Sequence, residues 1–73
     1  MTTDDAMLLV RAELERARDK FGSFQSTHEG YAVILEELDE LWEAIRKGGP
    51  AQRSDEAAQV AAMAVRFLTD LCS

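Results

Sequence analysis

Apolar residues recur along this chain at helical rather than strand spacing, and three stretches carry the pattern. In the first, Met7, Val10, Leu14, Ala17 and Phe21 follow a 3-4-3-4 spacing that draws one stripe down a helix. Thr2 or Thr3 can cap its start, where Asp4 and Asp5 complement the helix dipole. The second stretch is the strongest. Tyr31, Ile34, Leu35, Leu38, Leu41, Trp42 and Ile45 hold heptad-like spacing and form the expected core face, which places Tyr31 and Trp42 inside. Ser26 and Glu29 ahead of it have the spacing of a capping box. In the third, Ala57 to Leu68 contains only Gln59 and Arg66 as strongly polar residues, so that helix is expected to be buried on more than one side. Its alanines 57, 58, 61, 62 and 64 admit close approach of another helix. Met7 and Met63 read as core filler.

Gly22 interrupts the first stretch, and Gly48-Gly49-Pro50 separates the second from the third. Gly48 or Gly49 suits a left-handed C-cap, Pro50 stops the helix, and Ser54 can cap the next one. The expectation is an all-α single domain over 1–73, with helices at about 4–20, 27–47 and 54–71. Two amphipathic helices cannot cover every face of a third that is apolar nearly all round. A four-helix-bundle-type core completed by oligomerisation follows, as a homodimer or homotetramer. Size points the same way, since a chain this short buries only about 60% of its unfolded surface.

Composition narrows the partners. The net charge is −6, and the eight Lys and Arg are scattered rather than clustered, which disfavours nucleic acid. Cys72 is the only cysteine, so the chain has neither an intrachain disulfide nor a cysteine zinc cluster, and a cytoplasmic setting is expected. No apolar run approaches the about 20 residues that cross a bilayer, so no membrane partner is expected.

Candidate chemistry lies in the acidic run Glu36-Glu37-Leu38-Asp39-Glu40. At about 100° per residue, Glu37 falls about 100° and Glu40 about 160° from Leu38. Val33 and Ala44 share that sector, so Val33, Glu37, Glu40 and Ala44 form a row that suggests a second packed face. Glu36, Asp39 and Glu43 point to solvent. Glu56 lies on the apolar side of the third helix. Glu37, Glu40 and Glu56 together offer three hard oxygen donors, suited to Mg²⁺ and also to Mn²⁺.

The pattern Glu36-Glu37-x-x-Glu40, a gap of 15 residues, then Glu56-x-x-Gln59 resembles the EExxE…ExxD signature of the all-α nucleoside triphosphate pyrophosphatases, the MazG-like group. His28-Glu29-Gly30-Tyr31-Ala32 is similar to the lead-in of short members, and the likeness spans about 26–71. It implies Mg²⁺-dependent hydrolysis of a nucleotide to a nucleoside monophosphate and pyrophosphate, in an oligomer whose subunits complete each site. It also implies Glu37, Glu40, Glu56 and Gln59 as metal ligands, and Glu36 or Glu40 as the group that orients or deprotonates water. Gln59 stands where the family has Asp, so one charge is missing and weaker metal affinity is expected. Lys47 and Arg53, flanking the second loop, are candidate phosphate contacts, with solvated loop charges as the plain alternative. His28 is expected to do no chemistry. The competing reading is a non-catalytic helical oligomerisation module with a degenerate site.

Overall fold

In the computed structural model, which describes residues 1–72, three helices follow one another: α1 (Thr3–Phe21), α2 (Thr27–Lys47) and α3 (Pro50–Leu71). α3 lies against both of the others, while α1 and α2 make no close backbone approach to each other among the described residues. The nearly uniform apolarity of α3 has this cause: it is the shared surface of two separate helix pairs. Ala62 is fully enclosed, and Ala58 and Met63 are buried beside it. Leu14 and Ala17 of α1 and Phe24 of the first loop complete the buried cluster, with Val10, Val33, Ile34, Val65, Phe67 and Leu71 packed around it.

The helix starts follow local chemistry. Thr2 accepts from the Asp5 amide at 3.1 Å while Asp5 takes the Thr2 amide, a reciprocal cap. Ser26 accepts from Glu29 N–H at 3.1 Å as expected. The reciprocal bond shifts by one residue, because the Glu29 carboxylate takes the Gln25 amide at 2.7 Å.

α3 begins four residues earlier than the sequence reading placed it. Gly49 is the N-cap, Pro50 occupies the first turn, and Ser54 lies inside the helix. Proline at the first helical position lacks only an N–H that has no intrahelical partner there. The Gln52 side chain then accepts from Gly49 N–H at 3.0 Å and serves as the cap. Pro50 therefore opens α3 rather than merely ending α2. Gly48 closes α2 in an extended conformation, not the left-handed one expected; the positive φ belongs to Gly22, at 73° after α1.

The larger correction concerns α2. Of its heptad stripe only Ile34 and Leu41 are half-buried, Ile34 against the core cluster; the other five members are exposed. Tyr31 (66% exposed) and Trp42 (56%) stand in the open together with Leu35, Leu38 and Ile45. The buried positions of α2 are Gly30 and Ala44, with Val33, Ile34, Glu37 and Leu41 half-buried. Gly30, Ala44 and Glu37 share the α3-facing side with Val33 and Ile34, while the largest apolar side chains of α2 stay outside it. Gly30 shows how close the helices come: a Cβ built there would sit 2.6 Å from Phe67 Cδ2. Met7 and Phe21 at the ends of the α1 stripe are exposed as well, whereas Met63 is core as expected.

Candidate metal centre

Glu37 and Glu40 project one turn apart from α2, and Glu56 meets them from the second turn of α3. Each can place a carboxylate oxygen within 4.8 Å of the other two. Glu37 and Glu56 are half-buried and Glu40 is exposed, so the cluster has a closed side and an open side. The row Val33, Glu37, Glu40 and Ala44 explains the placement, since three of its four members lie on or beside the α2–α3 contact.

The electrostatics are unfavourable as they stand. Two ionised carboxylates at this separation repel by about 3–4 kcal/mol at an effective dielectric near 20. Burial pushes the Glu37 carboxyl up to about 7, and the neighbouring charges of Glu40, Glu56 and Glu36 add to the shift. Glu56 is raised for the same first reason, burial, and then by Glu40, Asp55 and Glu13. One oxygen of Glu37 and one of Glu56 are enclosed without any hydrogen-bond partner. Buried polar atoms are nearly always paired, so two orphaned oxygens from different helices aimed at one cluster call for a proton or a cation. The donor set is all carboxylate, with Cys72 exposed at the end of α3 and His28 exposed at the start of α2. Hard divalent cations such as Mg²⁺ and Mn²⁺ fit that chemistry; zinc prefers nitrogen or sulfur.

A cleft of about 490 Å³ runs along this centre between α1 and α2, floored by α3. Glu36, Glu37 and Gln59 line it. Glu36 is exposed and also borders a shallower groove farther along α2, which Glu40, Glu56 and Lys47 share. Lys47 is tied to Glu43 at 3.4 Å, and Arg46 to the same carboxylate at 3.0 Å. Arg53 is exposed and borders neither space. Asp39 and Glu43 are solvated, as helical geometry indicates.

Three residues that sequence reasoning passed over belong here. Glu13 of α1 is half-buried and close enough to influence Glu56. Arg16, one turn on, pairs with Glu13 and feels the charge of Glu37 across the cleft. Arg66 of α3 is buried in the cleft floor. A lone arginine in an otherwise apolar helix was the one available signal, and it concerned only Arg66.

The chain matches no family model, and it matches neither a curated protein nor a solved structure. No helix among the described residues is long and apolar enough to cross a membrane.

Proposed function

We propose that this chain is a divergent MazG-like nucleotide pyrophosphohydrolase that releases a nucleoside monophosphate and pyrophosphate from a nucleoside triphosphate. The observation that carries this reading is the pair of enclosed, unpartnered oxygens on Glu37 and Glu56 within a three-carboxylate cluster beside an open cleft. Glu37, Glu40 and Glu56 would hold Mg²⁺, with Gln59 supplying a neutral oxygen. A divalent cation bound there supplies charge neutralisation for a phosphate chain and acidifies water. The chain's own residues supply the rest. Glu37 and Glu56 fix the closed side of the centre, so a substrate can enter only from the cleft or past Glu40. Glu36, exposed on the cleft rim, accepts the proton of the attacking water as its oxygen bonds to the α-phosphorus and the bond to pyrophosphate breaks. Glu40, on the open side, is the second group able to orient that water.

The exposed stripe of Tyr31, Leu35, Leu38, Trp42 and Ile45 supports a homodimer in which a second copy covers α2 and completes a four-helix core. A homotetramer would use the exposed Met7 and Leu8 of α1 as well. That same stripe favours the second reading, an oligomerisation module with no turnover.

Thermal denaturation with Mg²⁺ or Mn²⁺, together with pyrophosphate release from a panel of ribo- and deoxyribonucleoside triphosphates, separates the two readings. The enzyme reading expects millimolar metal to raise the melting temperature and pyrophosphate to appear. Absence of both leaves the module.

A further inference from the structure

The cleft carries a second unsatisfied charge, and it is positive. Arg66 is only 3% exposed. Its Nη2 donates to the Gly22 carbonyl at 2.8 Å, its Nη1 contacts the Met63 sulfur at 3.2 Å, and the Phe24 ring lies 4.0 Å from Cζ. Nε has no partner. The chain has 14 acids, yet none pairs with Arg66 among the described residues. Asp70, one turn along α3, is engaged by the Phe24 amide at 2.9 Å. A guanidinium that gives up water without gaining a counter-ion is costly. One carbonyl, one thioether and one aromatic face compensate only part of that cost.

The surroundings identify what is missing. Arg66 lines the cleft together with Arg16 and Lys20 of α1. Lys20 forms no ion pair among the described residues, and its Nζ rests 5.1 Å from the Phe21 ring. Arg16 holds only Glu13, in a pair whose guanidinium is exposed and whose carboxylate is half-buried. Arg16 and Lys20 therefore stand on the α1 side of the cleft, with Glu13 beside them and Glu29, Glu36 and Glu37 of α2 opposite. A guanidinium with a free edge matches a phosphate better than a point charge does.

We propose that the cleft between α1 and α2 holds a phosphate chain, with Arg66 as its buried anchor and Arg16 and Lys20 closing on it from α1. For the identity of the ligand this rests on the nucleotide reading above; for the anion site it does not need the metal. The assignment moves phosphate contact from Lys47 and Arg53, outside the cleft, to three cations inside it.

The test is titration of the full chain with inorganic pyrophosphate in EDTA and again with Mg²⁺, followed by melting temperature and calorimetry. Wild type is expected to bind in EDTA. The double variant Arg16→Gln, Lys20→Gln changes only exposed side chains; it should bind at least about tenfold more weakly while keeping its Mg²⁺-induced stabilisation. Arg66→Lys should weaken binding further by removing the planar fork. If Arg66→Lys does not fold, the double variant alone decides. Pyrophosphate that fails to bind wild type, or binds the double variant equally well, overturns the proposal. Pyrophosphate binding in EDTA with no response to Mg²⁺ overturns the metal centre and leaves the anion site standing.

Discussion

The two long faces of α2 are dressed the wrong way round for a solitary chain. The side turned to α3 carries Gly30, Glu37 and Ala44, and the side turned to water carries Tyr31, Leu38 and Trp42. A helix that half-buries Glu37 and exposes Trp42 leaves both faces open to something outside the chain. In the proposed function a cation would answer the first and a second copy the second. Each face on its own is ambiguous, since solvated acids and exposed leucines are common. Their coincidence on one helix makes the chain look like part of a larger unit.

The largest expected effect breaks the acidic face. Glu37→Gln should reduce pyrophosphate release by at least about 100-fold and remove the Mg²⁺-induced rise in melting temperature. Without metal the variant should be no less stable than wild type, because a buried charge has been deleted; unchanged turnover would show the centre is elsewhere. Leu38→Glu attacks the opposite face. It should shift the oligomer to monomer in sizing chromatography at micromolar concentration, and a wild type that already elutes as a monomer contradicts the covered-stripe reading outright.

A smaller effect is expected from Gly30→Ala. Overpacking against Phe67 costs about 1–3 kcal/mol, against a helix-propensity gain of about 1 kcal/mol. Denaturant titration should show a net loss, and a gain would mean that α2 and α3 do not approach as closely as the structure has them.

The last prediction is a pH dependence. Glu37 keeps its proton up to about 7 in the fold, above its ordinary 4.5. Between those values the folded chain holds a proton that the unfolded chain has released, so metal-free stability falls as pH rises through the window. Burial of Glu56 acts in the same direction. Mg²⁺ needs deprotonated carboxylates, so its stabilisation should grow over the same range. A melting-temperature series from about pH 5 to about pH 8, with and without Mg²⁺, checks both slopes; parallel curves would remove the coupling between the cation and Glu37.

Much of this was legible in the sequence, for physical reasons that differ from place to place. Helical period and glycine punctuation disclose three helices, and the angle of Glu37 from Leu38 discloses the acidic row. Periodicity says that a face is apolar, not what covers it, so the Tyr31–Ile45 stripe was assigned to the intrachain core. Small residues leave a weak hydropathy signal, and for that reason the Gly30–Ala44 face, which makes the closest approach to α3, looks secondary in the sequence. Ser54 was a plausible cap, but Pro50 following Gly49 was the better start. The cationic wall of the cleft was not legible at all, because Arg16 and Lys20 read as ordinary solvated positions until α3 brings α1 opposite α2.

Because α1 and α2 make no close backbone approach to each other among the described residues, each wall of the cleft is held chiefly by its own contacts with α3. The acidic wall is locked, with Phe67 set against the α2 backbone at Gly30. The α1 wall is held by the five residues from Gly22 to Ser26, by side-chain packing at Val10, Leu14 and Ala17, and by Arg18 donating to the Thr69 hydroxyl at 2.7 Å. Opening of α1 would take Leu14 and Ala17 out of the buried cluster, so emptying the cleft that way draws on the core itself. Arg66, bonded to the Gly22 carbonyl at the pivot, sits where such an opening would be felt first.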